Sequence, residues 1–393
     1  MPMTGVSGRR ISPGEKPDDR SGGGRIRANL DRQSTGIHHL VGGFETGNCR
    51  RRRSCAGGAR EEHQGQKQSD SCGLIHRVGD PKARGLPASV EGVSLLDAIG
   101  DTPLIHIPGG PGRGEIWVKL EGGNPTGSYK DRMALAMVRG AEQAGRLAPG
   151  QAVVEYTGGS TGSSLAMVCA LTGHPLHIVT SDAFSAEKLR TIEAFGAVME
   201  VIPSPEGITA DLIPRMRARA AQIAERIGAY QTDQFNNHDM VDGYEQMGRE
   251  IVEMLPGADA YCSYVGTAGC FLGVSRSLRE AWPDIHLAVV EPAESAVISG
   301  QPPGTHRIEG GGAGFVPPQL SPEHYDEVVT VSTKEAFAKA RAAAREWGVF
   351  SGPSTGANLV AAERIATRLG PGSTVVTVQV DSGLKYLVGD LFR

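Results

Sequence analysis

The chain is expected to be an α/β protein of two doubly wound parallel-sheet domains, and three observations lead there. From about Leu95 onward, short β-branched runs alternate with amphipathic stretches, with glycine or proline between them. Such alternation needs crossover connections, and crossovers make parallel sheets. The rhythm pauses in a helical stretch around Ala210 to Ile227 and then resumes, and 393 residues exceed one average domain. Two α/β units follow.

Taken in order, IWVKL (Ile116 to Leu120) reads as a strand. Met133, Ala134, Met137, Val138 and Ala141 then fall on one face of a helix that Gly145 closes. Strand AVVEY, helix SSLAMVCALTG, strand LHIVT, helix AEKLRTIEAFG and strand AVMEVI complete the first unit. After the pause come a helix near Val241 to Leu255, strand AYCSYV, helix FLGVSRSLREAW and strands HLAVVEP and EVVTV. Two helices and strand STVVTVQV end the second unit.

Residues 1–90 are different material. They are rich in glycine, serine and arginine, include four consecutive arginines from Arg50 to Arg53, and show no sustained apolar periodicity. A segment of that composition cannot bury enough surface to order itself, so a disordered extension is expected. It has no apolar h-region, and Asp18, Asp19, Glu61 and Glu62 argue against a transit peptide. A formal net charge of -4 gives no electrostatic case for nucleic acid or an anionic membrane as partner. No apolar run reaches bilayer length, so a soluble, cytoplasmic protein is expected. Of six cysteines, Cys49, Cys55 and Cys72 lie in the extension and Cys169, Cys262 and Cys270 in the body. No CxxC pair occurs, and with His38 and His39 the spacing fits no closed zinc pattern, so no metal is expected.

In open α/β sheets, ligands sit outside the carboxyl ends of the strands. After AVVEY comes TGGSTG (Thr157 to Gly162), and after AYCSYV comes GTAGCFLG (Gly266 to Gly273). Each feeds a helix N-terminus, where converging N–H groups and the helix dipole attract an anion, although a tight turn uses glycine for its own reasons. A third turn, NPTGSYKDR (Asn124 to Arg132), ends in Lys130 as a helical pattern begins, and Asp381, Ser382 and Gly383 follow the last strand. A solvated lysine needs no such position. An amine that forms an imine with a bound aldehyde needs a fixed and sheltered one.

The body, from SLLDAIGDTPLIHI to DSGLKYL, resembles the cysteine synthase family within the tryptophan-synthase-β-like, fold type II pyridoxal phosphate enzymes. NPTGSYKDR matches the family's lysine motif, GTAGC its phosphate loop, and IEGGGAGFVP and QFNN (Gln234 to Asn237) two further loops. The resemblance implies pyridoxal 5'-phosphate in a cleft between a larger domain (91–123 and 235–393) and a smaller one (124–234). It implies that Lys130 holds the cofactor as an imine and is the base that removes the α-proton. Gly266, Thr267, Ala268, Gly269 and Cys270 would cradle the phosphate, and Ser382 would face the pyridine nitrogen. Thr157, Gly158, Gly159, Ser160 and Thr161, with Gln234, would bind the substrate carboxylate. The implied reaction is β-replacement on an activated serine by a sulfur nucleophile, through an aminoacrylate, in a homodimer.

Two departures stand out. The family usually has TSGNTG, so Gly158 replaces a serine and Ser160 the asparagine that contacts the cofactor's ring hydroxyl; Cys270 replaces the threonine closing the phosphate loop. The room released beside Gly158 and Gly159 is expected to admit a bulkier substrate or nucleophile. A serine or threonine dehydratase on the same fold is the alternative reaction, and a non-catalytic partner-binding homologue the alternative class.

Overall fold

The computed structural model describes residues 94–207, 209 and 211–393. The expected disordered extension, with its three cysteines, His38 and His39, lies outside the described residues. Two strands, β1 (Leu104–Ile107) and β2 (Glu115–Leu120), lead into helix α1 (Lys130–Gln143). There follow β3 (Val153–Tyr156), α2 (Ser160–Thr172), β4 (Leu176–Ser181), α3 (Ala186–Ala194), β5 (Val198–Ile202), α4 (Leu212–Ile227) and the short β6 (Tyr230–Gln231). Then come α5 (Asp239–Met254), β7 (Ala260–Tyr264), α6 (Gly269–Ala281), β8 (His286–Pro292) and β9 (Glu327–Val331). Helices α7 (Thr333–Glu346) and α8 (Pro353–Leu369) precede the last strand, β10 (Thr374–Gln379).

The strands form a four-stranded sheet in the order β5-β4-β3-β6 and a six-stranded sheet in the order β1-β2-β10-β7-β8-β9. Every pairing is parallel except β1 with β2, where Leu104 lies opposite Lys119 and Ile107 opposite Ile116. The connection between them is too short for a crossover, which takes a dozen or more residues, so β1 can only fold back. Neither β1 nor β6 was expected from periodicity, because so few residues cannot display a period. β2 finds its parallel neighbour at the far end of the chain, Glu115 opposite Thr374.

Strands β3 and β7 are buried at every position, as strands covered on both faces should be. The five apolar residues expected on one face of α1 are all fully buried, and Gly145 takes a positive φ of 68° just past its end. The edge strand β5 leaves Val198 and Val201 exposed. Among the described residues no helix is long and apolar enough to cross a membrane.

Candidate active site

The lysine turn is fastened at both ends. Gly127, with φ of 74°, makes the bend. Its carbonyl accepts from the Ser382 N–H at 2.9 Å, and the Tyr129 N–H donates to the Val380 carbonyl at 3.1 Å, so the turn is tied to the end of β10. Asp131, in the first turn of α1, reaches back to accept from the Thr126 N–H at 2.7 Å and from the Thr126 hydroxyl. Lys130 is thereby held at the helix start, 6% exposed, its Nζ 4.7 Å from the centre of the Tyr129 ring. Burial lowers its amine to about 8, although Cys270 and Asp381 nearby pull the other way. At neutral pH roughly a tenth of such an amine is neutral, against well under a thousandth for an ordinary lysine.

Beneath the turn lies a buried ionic network. Arg132 donates from Nε and Nη2 to both oxygens of Glu121, at 2.8 and 2.9 Å, and from Nη1 and Nη2 to both oxygens of Glu250, each at 2.7 Å. Lys119 Nζ meets Glu250 at 2.6 Å. Two cations and two carboxylates thus neutralise one another where little water reaches. Burial would raise Glu250, but Arg132 and Lys119 outweigh it and hold the carboxyl at about 2. Asn124 joins the turn to this network, donating to Glu121 Oε2 at 2.8 Å and accepting from the Gly100 N–H at 2.9 Å.

The loop after β7 delivers Gly266 and Thr267 to the start of α6. Ala268 has φ of 71°, a left-handed conformation that costs an alanine roughly 1–2 kcal/mol. The first N–H groups of α6 have no intrahelical acceptor and face outward with the positive end of the dipole. The Thr267 hydroxyl is matched only with the Met240 sulfur, at 3.5 Å, among the described residues. The glycines of IEGGGAGFVP have a steric reason: a Cβ on Gly311 would lie 2.3 Å from the Val265 carbonyl oxygen, and one on Gly266 would lie 2.6 Å from that of Gly310. Backbone packs on backbone there. Cys270 is buried, and burial pushes its thiol up to about 12, so it is no thiolate nucleophile.

The loop after β3 turns through Gly159, with φ of 139°, into α2. Its Thr161 hydroxyl donates to Gln234 Oε1 at 2.8 Å, and Gln234 Nε2 donates to the Tyr156 carbonyl at 2.9 Å. The room expected beside Gly158 and Gly159 is not free. A Cβ on Gly158 would lie 2.7 Å from the Phe184 ring, and one on Gly159 would lie 2.5 Å from the stem of Lys188. Side chains from the β4–α3 connection and from α3 have filled the space, so these glycines by themselves enlarge nothing.

One cavity of about 550 Å³ is lined by Lys130, by Thr157 through Thr161, by Gln234, and by Gly266 and Thr267. Ala268, Gly269, Cys270 and Ser382 are not on its wall. Ser382 lies against the lysine turn, its hydroxyl accepting from the Leu384 N–H at 3.3 Å. Sequence reasoning missed Phe184, Lys188, Phe235 and Glu309, which also line the cavity. Lys188 Nζ bonds Glu309 at 2.7 Å and the Tyr386 hydroxyl at 3.1 Å, which donates in turn to Asp381 at 2.7 Å. Only the glycine run beside Glu309 could have drawn notice to it.

A sheltered lysine amine facing glycine loops at the carboxyl ends of parallel strands defines an enzyme that holds a phosphate-bearing aldehyde. Residues 95–381 match the family described as pyridoxal-phosphate dependent enzyme, and the chain belongs to that family. It is similar to the cysteine synthase of Staphylococcus aureus (strain Mu50 / ATCC 700699), 36% identical over 304 residues that cover 76% of this chain and 96% of the relative. Among solved structures it is similar to O-acetyl serine sulfhydrylase isoform 3 from Entamoeba histolytica, 33% identical, TM-score 0.72, covering 78% of this chain and 94% of that one. It is also similar to an O-ureido-L-serine synthase, 32% identical, TM-score 0.71, covering 76% and 94%.

The residues present fit the cofactor on their own chemistry. An amine lowered to about 8 is suited to an aldehyde. The first N–H groups of α6, which have no intrahelical acceptor, and the weakly held Thr267 hydroxyl suit a phosphate. The cavity joins the two.

Proposed function

We propose that the enzyme replaces the β-substituent of an activated serine, of the O-acetylserine or O-phosphoserine type, with a sulfur nucleophile to give cysteine or a close analogue. The observation that carries the reading is the meeting of Lys130, the Thr157–Thr161 loop, Gln234 and Gly266–Thr267 on one cavity.

When bound, pyridoxal phosphate draws electrons from the substrate's Cα and so weakens its bond to hydrogen and the neighbouring bond to the leaving group. Lys130 would tether it through Nζ, and that amine, when free, would take the substrate's α-proton. The lowered basicity of that amine keeps a neutral fraction ready. Thr157, Gly158, Gly159, Ser160, Thr161 and Gln234 bind the α-carboxylate, which aims the Cα–H bond at the base. The N–H groups of Gly266 and Thr267, on the cavity wall, would hold the phosphate, with the helix start at Ala268, Gly269 and Cys270 directly behind them. Ser382, just beyond β10 and against the lysine turn, would be the neutral hydroxyl for the ring nitrogen, in place of a carboxylate.

The test is to titrate the purified, cofactor-loaded protein with O-acetylserine, O-phosphoserine, serine and threonine while following its visible absorption, then to add sulfide and quantify cysteine. Cysteine formed from an activated serine supports the reading. A keto acid released at the same rate with and without sulfide assigns a dehydratase. An unchanged spectrum with all four amino acids leaves a scaffold that no longer catalyses.

A further inference from the structure

Glu155 is a buried carboxylate that the mechanism above does not use. It sits on β3, fully buried, directly before the loop that lines the cavity. Oε1 accepts from the Tyr156 N–H at 2.8 Å. Oε2 accepts from the Thr232 hydroxyl at 2.7 Å and from the Gln234 N–H at 3.0 Å. The turn from Thr232 to Gln234 is therefore wrapped around this one side chain. It is an awkward turn: Asp233 takes a positive φ of 44°, uncommon for a residue with a Cβ, so something must hold it. Gln234, so placed, spends both ends of its amide on the loop side, on Thr161 and on the Tyr156 carbonyl.

We propose that Glu155 is a positioning residue for substrate binding, its carboxylate holding the Thr232–Gln234 turn so that Gln234 stands against the carboxylate-binding loop. The inference rests on the function proposed above only for what the loop binds.

The arrangement has a pH dependence. Burial raises the Glu155 carboxyl to about 7, against the hydrogen bonds from Thr232, Tyr156 and Gln234, while the Asp233 charge raises it further. The ionisable groups around it are Asp233 in the turn, Tyr156 on its own strand and Tyr230 on β6. Above about 7 the carboxylate accepts all three bonds; below it the added proton competes with a donor for the same oxygens, and the turn loosens. Substrate capture should weaken as pH falls through that value, with kcat little changed.

The experiment compares wild-type holoenzyme with Glu155→Gln from pH 5.5 to 8.5, using O-acetylserine. The ratio of the two KM values cancels the titration of the substrate's own amine. At high pH the variant's KM should exceed wild type by about tenfold, the loss of a hydrogen bond to a charged group, with kcat within about twofold. The ratio should fall toward one below pH 7. Independently of any substrate, amide exchange at Gln234 should be faster in Glu155→Gln, and in wild type its protection relative to the intrinsic rate should fall on acidification. A flat KM ratio, or Gln234 exchange equal in the two proteins, overturns the proposal. If no serine derivative binds wild type at any pH, the function fails, and the exchange measurement still decides the role of Glu155.

Discussion

The lysine turn and the Thr157–Thr161 loop, the proposed carboxylate loop, meet at one cavity but are held by different means. Under the lysine turn Arg132 makes four charge-assisted bonds to two buried carboxylates, and the backbone is tied at Gly127 and Tyr129 to the residues just after β10. The carboxylate loop, on the four-stranded sheet, has two glycines against which Phe184 and Lys188 pack, and one buried glutamate behind it. The role proposed for Lys130 asks for placement within a fraction of an ångström, and the support observed under its turn is ionic and redundant. A recognition loop is shaped by neighbouring side chains, which substitution can change without dismantling the fold. In this protein the lysine turn keeps the family's pattern, and the departures lie in the recognition loop and the phosphate loop.

The largest break in that comparison is chemical. Lys130→Ala should lower turnover by several powers of ten, since it removes tether and base together. The folded structure should survive, as judged by circular dichroism and an unchanged melting cooperativity. Near-normal turnover would refute the assignment of the base.

Arg132→Ala should be the largest structural break, because it leaves Glu121 and Glu250 buried without their main partner. A loss of roughly 3–5 kcal/mol in urea unfolding is expected. The network also sets an acid limit. The Glu250 carboxyl is lowered from the ordinary 4.5 to about 2 in the fold, so its contribution is complete above 4.5 and is lost as pH falls toward 2. That portion of the acid dependence should shrink in the variant, where Lys119 still faces Glu250.

Gly158→Ser restores the family's usual residue but drives a Cβ into the Phe184 ring. Overpacking of about 1–3 kcal/mol is expected from equilibrium unfolding, and Phe184→Ala should remove most of it in the double variant. Simple additivity of the two changes would show that ring and glycine are not coupled. Ser160→Asn is the smallest test. It should shift the visible absorption of the loaded enzyme and raise activity with O-acetylserine and sulfide relative to larger pairs, and an unchanged spectrum and substrate ranking would make that departure neutral.

Much of the site was legible because its parts are local. The lysine before a helix, the glycine turns after AVVEY and AYCSYV, and Asp381-Ser382-Gly383 after the last strand are all visible as short strings whose backbone conformation follows from their own residues. The alternation that implies parallel sheets is likewise written along the chain. What lay out of reach was every relation between distant strings. Nothing in TGGSTG says that Phe184 will fill the space its glycine leaves, and nothing in VVEY distinguishes Glu155, which holds a turn nearly eighty residues on, from an exposed strand glutamate.

By itself, then, the sequence determined the alternation of most strands and helices and which glycine turns, with Lys130, stand at strand ends, since these depend on periodicity, turn geometry and helix ends. The tertiary structure alone decided that β2 pairs with β10, that Arg132 is neutralised by Glu121 and Glu250, and that the recognition loop is closed by Phe184 and Lys188. Those facts depend on which surfaces exclude water together. A buried charge or an occupied void is a property of the neighbours a residue meets in space, and local sequence carries no record of them.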